Sequence, residues 1–140
     1  MAEKVRAKLK WLGGLRFVAQ ADSGHALVLD SKSKPDHAGP TPMEIFLMGV
    51  AGCTAMDVAA ILERMRQPLS QLEVHVEGER VEVNPKRYSS VEIVYKVTGR
   101  GLDLDKVERA VALSHSTYCS ASASLRPDIA ITHRIELLEG

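Results

Sequence analysis

An excess of charge of either sign is the first thing this 140-residue sequence lacks. Its 18 basic and 18 acidic side chains balance to a formal net charge of zero, and no basic run stands out. Nothing here makes the electrostatic footprint that a phosphate backbone requires, so no nucleic-acid partner is expected. Cysteine is scarce too. Cys53 and Cys119 are 66 positions apart, too few for a secreted disulfide framework and outside any C-x-x-C or His/Cys spacing of a zinc or iron site. No cofactor and no metal are therefore expected. Met1-Ala-Glu-Lys-Val-Arg runs straight into alternating residues without the apolar stretch of a signal peptide, which points to the cytoplasm. There is no internal repeat and no linker-like composition shift, so residues 1–140, 45% hydrophobic, read as a single domain with a real core.

Long apolar runs are also absent, with one exception that organises the chain: Gly39 to Arg66. Thr41-Pro42-Met43-Glu44 writes a helix start, with Thr41 as N-cap, Pro42 in the first turn and Glu44 closing a capping box, so the helix should begin at Pro42. Pro68 predicts an end near Arg66. From Ile45 to Met56 every face is apolar or small, the pattern of a helix covered nearly all round. Gly49, Gly52, Ala55 and Ala59 thin out one stripe, and Cys53 and Asp57 lie one turn apart. Spanning a membrane is disfavoured, because the run is at the lower length limit and carries Asp57 at its centre. At about 25 residues the helix would be about 37 Å long. So few other elements would not cover it, and a homodimer sharing one core is expected.

Around this helix the periodicity is that of strands. Val5, Ala7, Leu9 and Trp11 alternate with basic residues as a first strand; Leu15 to Gln20 and Ala26 to Asp30 complete a meander. Leu72, Val74 and Val76 mark a fourth strand, running on through Val81 and Val83 after a bulge near Gly78. Val91, Ile93, Tyr95 and Val97 mark a fifth. Asp103 caps a second helix with a buried stripe of Leu104, Val107, Val111 and Tyr118. The run around Cys119 reads as a turn and a short further helix, and Ile129 to Leu137 as a closing strand. The order βββ-α-ββ-α-β argues an α+β fold, a long central helix packed on antiparallel sheets. His37 reads as a solvated loop residue and His133 as a satisfied core or interface histidine.

A thiol reacts as its thiolate, so a reactive cysteine needs a cation, some access and usually a resolving partner. Arg16 is the first candidate cation for Cys53, Arg126 the second. The alternatives are two inert buried cysteines, or a Met-rich helix (Met43, Met48, Met56, Met65) lining an adaptable apolar pocket.

Gly39-Pro40-Thr41-Pro42-Met43-Glu44, Gly52-Cys53-Thr54-Ala55, Tyr118-Cys119-Ser120 and the turn Gly13-Gly14-Leu15-Arg16-Phe17 together resemble the OsmC/Ohr family of osmotically inducible and organic-hydroperoxide-resistance proteins, in its YhfA-like branch. The resemblance implies an OsmC-like fold in an intertwined homodimer. It also implies a thiol-dependent reduction of organic hydroperoxides, in which Cys53 becomes a sulfenic acid, Cys119 resolves it and a lipoyl-type dithiol reopens the disulfide. Arg16 and Glu44 are the implied supports of the Cys53 thiolate. The peroxidases carry their glutamate immediately after the helix-start proline, where this chain has Met43, and Glu44 is its neighbour. The other reading is a non-catalytic OsmC-like protein that binds a small hydrophobic ligand or senses redox state.

Overall fold

The computed structural model describes residues 2–140, which divide into two compact units with the boundary between Phe46 and Leu47. In the first, β1 (Ala7–Trp11), β2 (Phe17–Ala21) and β3 (Ala26–Leu29) form the expected antiparallel meander, with Leu9 opposite Ala19 and Phe17 opposite Leu29. Gly13 and Gly14 turn the chain between β1 and β2 with φ of 103° and 55°, a conformation that penalises any Cβ. β1 starts two residues later than its alternation suggests. All five of its residues are exposed, and on its apolar face Leu9 is 57% and Trp11 64% exposed.

The long helix α1 (Pro42–Arg64) begins where the capping signals put it. Thr41 Oγ1 accepts the Glu44 N–H at 3.2 Å and Glu44 Oε1 accepts the Thr41 N–H at 2.9 Å, closing the box in both directions. Regular helix ends at Arg64, and Arg66 then adopts φ 57°, turning the chain before Pro68.

In the second unit β4 (Gln71–Arg80) pairs antiparallel with β5 (Tyr88–Thr98). β5 lies in the middle of its sheet and carries much of the core, with Val91, Ile93, Tyr95 and Val97 all but inaccessible. The register shift falls between Glu79 and Arg80 rather than at Gly78. Gly78 serves a different purpose: a Cβ there would stand 2.6 Å from the Tyr88 ring, so the glycine makes room for the aromatic side chain. The strand stops at Arg80, which leaves Val83 in an exposed loop rather than in the apolar face predicted for it.

α2 (Leu104–Leu113) is capped by Asp103, whose side chain accepts the Asp105 N–H at 3.0 Å. A single wide turn, Ser114–Tyr118, comes next, then the short α3 (Ser120–Ala123). Val107, Ala110, Val111 and Ser114 are buried, whereas Leu104 and Tyr118 are exposed, against expectation. The π turn supplies the reason for Tyr118, because one extra residue in the turn rotates its last side chains out of the buried stripe. Leu104 projects from the open first turn. The chain then returns as β6 (Ala130–Leu138), which pairs with β5 in parallel, so this sheet is mixed and not antiparallel throughout. Two intervening helices carry the chain back to the starting end of β5, which is what a parallel partner requires.

Candidate functional site: two thiols and a buried polar chain

Within the second unit α1 turns Val50, Ala51, Thr54, Val58, Ile61 and Leu62 inward. Cys53 and Asp57 stand on a neighbouring face one turn apart, and both are half-buried. Cys119 comes from the bend between the π turn and α3, where its N–H bonds Ser114 O at 2.8 Å. It is 5% exposed. The Cys53 Sγ, the Cys119 Sγ and a carboxylate oxygen of Asp57 all lie within 4.8 Å of one another. Sequence spacing placed Cys53 and Asp57 one turn apart but gave no hint that Cys119 joins them, since folding draws it from a distant segment. Two thiols and a carboxylate are donors that a thiophilic divalent ion accepts, one short of a tetrahedral set.

Burial pushes the Cys119 thiol up. Ser122 pulls the other way, its N–H bonding Cys119 Sγ at 3.4 Å and its hydroxyl lying 3.2 Å from the same sulfur, and the Cys53 thiol alongside adds to the rise. Cys119 is therefore held mainly as the neutral thiol at neutral pH.

From Asp57 a line of polar side chains runs through the core. The Ser114 hydroxyl donates to Asp57 Oδ2 at 3.0 Å; Ser114 Oγ and Thr54 Oγ1 are 2.8 Å apart, Thr54 Oγ1 and Tyr95 OH 2.7 Å, and Tyr95 OH and His115 Nε2 2.7 Å. Thr54, Ser114 and Tyr95 are all fully buried. Desolvation raises the Tyr95 phenol to about 12, so it stays protonated, and burial together with the His133 ring lowers His115. His133 is neither core nor buried: its ring stacks on His115 with centroids 4.7 Å apart and planes 15° from parallel. The two imidazoles and Cys119 line an open pocket of about 320 Å³ with Ser116, Ser122 and Ile131.

Of the predicted site residues, Cys53 and Cys119 are brought together in this unit. Arg16 and Glu44 belong to the other unit, each with partners there. Arg16 Nε donates to Asp30 Oδ2 at 2.9 Å and Nη2 to the Asp36 carbonyl at 3.0 Å; Glu44 closes the capping box and lies 3.3 Å from Lys32 Nζ. Arg126, the second candidate, pairs with Asp128 at 3.0 Å. His37 is a loop residue as expected, bonded to the Lys34 carbonyl. Asp57, Thr54, Tyr95, Ser114 and His115 escaped the sequence reading as site residues. The one available signal was the i, i+4 spacing of Cys53 and Asp57.

Asp30 is held down at about 2, by the Ala38 N–H first and then by Arg16 and the Ser31 N–H. Its folded value lies below its ordinary 3.8, so its stabilisation is complete above about pH 4 and fades as pH falls toward 2. In denaturant titrations Asp30→Asn should flatten the acid slope of stability; equal slopes for both chains would refute this role.

The chain belongs to the OsmC-like family: residues 34–134 match the family model described as OsmC-like protein. Over 134 residues it is 38% identical to Protein YhfA of Escherichia coli K12, covering 96% of this chain and 98% of that one. Among solved structures, a hypothetical protein from Aquifex aeolicus superposes with a TM-score of 0.89 at 27% identity, over 99% of both chains. A Legionella pneumophila organic hydroperoxide resistance protein OsmC superposes at 0.67 with 18% identity, over 97% and 98%, a likeness of fold alone.

Proposed function

We infer that the protein is a two-cysteine thiol peroxidase for organic hydroperoxides. The observation that carries this reading is the meeting of Cys53, Cys119 and Asp57 within 4.8 Å. A half-buried thiol beside a 5% exposed one suits a first attacker and a protected resolver. The Cys53 thiolate attacks the O–O bond, giving Cys53–SOH and an alkoxide that leaves as the alcohol. The Cys119 sulfur then displaces hydroxide, which leaves as water, and forms the disulfide. A dithiol of lipoyl type returns both thiols and is itself oxidised to a disulfide. Membership of a family that includes organic hydroperoxide resistance proteins supports the substrate class.

A homodimer belongs to the same proposal. Met48, Gly52 and Met56 form a stripe along α1 in which the methionines are 55% and 76% exposed and nothing lies within 4 Å of where a Gly52 Cβ would be. A helix of a second copy fits such a stripe, with the glycine allowing close approach.

Purified protein incubated with cumene hydroperoxide and dihydrolipoamide should consume peroxide, and light scattering should return twice the 15.3 kDa of one chain. Consumption no faster than that of Cys53→Ser would reject the peroxidase, and a 15.3 kDa particle would reject the dimer.

A further inference from the structure

The hydroxyls between Asp57 and His115 have only one consistent orientation. Ser114 spends its single proton on Asp57, so at 2.8 Å it must accept from Thr54. Thr54, having donated, must accept from Tyr95 at 2.7 Å, and Tyr95 in turn must accept from His115 Nε2 at 2.7 Å. His115 therefore carries its proton on Nε2, with Nδ1 left as the proton acceptor. One end of this line is a carboxylate beside both sulfurs, and the other is an imidazole lining an open pocket.

We propose that Asp57, Ser114, Thr54, Tyr95 and His115 form a proton relay, oriented inward, that delivers a proton from the pocket to the sulfur set free when the Cys53–Cys119 disulfide is reduced. This rests on the two-cysteine reading above. The reductant thiolate forms a bond to one sulfur, the S–S bond breaks, and its electron pair stays on the other sulfur as a thiolate. The proton that the reductant thiol released is taken up at His115 Nδ1. His115 then gives its Nε2 proton to Tyr95, each hydroxyl passes its own proton on, and Asp57 hands one to the thiolate. The hydroxyls then rotate back, and His115, left protonated on Nδ1, returns to its Nε2–H tautomer by proton exchange with water through the open pocket. Burial, which raises the Cys119 thiol, makes its bare thiolate costly and a nearby acid useful. The titratable groups facing His115 are Tyr95 on β5, His133 on β6 and Cys119 beyond the turn.

Two measurements test this. Nitrogen-15 NMR of histidine-labelled protein should show His115 as the Nε2–H tautomer; an Nδ1–H tautomer would overturn the orientation. In the second, protein oxidised by diamide is reduced with dithiothreitol, and the rate is divided by the dithiothreitol thiolate fraction at each pH. Wild type should speed up as pH falls through the His115 titration and slow in deuterium oxide. Tyr95→Phe, Thr54→Val and the pocket variant His115→Gln should each be about a hundredfold slower, flat with pH and insensitive to deuterium, while Thr54→Ser keeps the wild-type behaviour. Variants that match wild type in rate and isotope effect would refute the relay even if peroxide turnover is intact. Relay-dependent reduction without peroxide turnover would refute the peroxidase alone, and a chain that forms no disulfide would refute both.

Discussion

A Cys119→Ser chain is expected to consume a single equivalent of cumene hydroperoxide and stall, whereas Cys53→Ser consumes none. Both should lose steady-state turnover by about a thousandfold or more, the scale seen when a nucleophile is deleted. The asymmetry comes from position. Cys53 is the half-buried sulfur on a helix face and Cys119 the 5% exposed one, hydrogen-bonded by Ser122. Without Cys119 the Cys53 sulfenic acid has no resolving thiol within 4.8 Å and persists until a trapping reagent or further peroxide reaches it. Mass spectrometry of the stalled chain should find a dimedone adduct on the peptide carrying Cys53. An adduct on Cys119 in the Cys53→Ser chain would reverse the assignment.

The largest effect on stability is expected from Thr54→Val, a change that conserves volume and removes one oxygen. Thr54 is fully buried, and its hydroxyl joins Tyr95 to Ser114. Removing it leaves the Tyr95 hydroxyl without its acceptor and Ser114 without its donor. At about 1–3 kcal/mol for each of the two groups left unsatisfied, the loss is about 2–6 kcal/mol. That is a large share of the roughly 5–15 kcal/mol holding a typical domain together. The melting temperature should fall by about 10 °C. Thr54→Ser retains the hydroxyl and gives up one methyl, about 1 kcal/mol. Equal losses in the two variants, read by denaturant titration, would show that packing and not hydrogen bonding governs this position.

Where local chemistry decides a feature, the sequence was legible. Thr41, Pro42 and Glu44 located the start of α1 to the residue, because a capping box is satisfied by neighbours four positions or fewer apart. Asp103 did the same for α2. The alternation in β4 and β5 revealed strands, though not that β6 would lie parallel to β5, since pairing direction is set by how the connecting helices return the chain. The two cysteines were legible as a pair. The polar line behind them was not: Thr54, Ser114 and Tyr95 are each ordinary in their own segments, and only the packing of α1 on β5 and α2 makes them neighbours. Tyr118 looked like a core residue for want of any signal that a π turn would intervene.

The parallel return of β6 has a consequence for the order in which this protein matures. Ser114 meets Thr54 across 60 positions and Asp57 across 57, while Tyr95 meets Thr54 across 41. No stretch emerging from a ribosome can assemble these contacts locally, and long-range closures of this kind come late in folding. Cys53 is thus synthesised well before the turn that carries Cys119, and the two sulfurs become neighbours only when the crossover has been laid down. The nascent chain is spared a premature bridge, and the pair acquires its chemistry together with its tertiary structure.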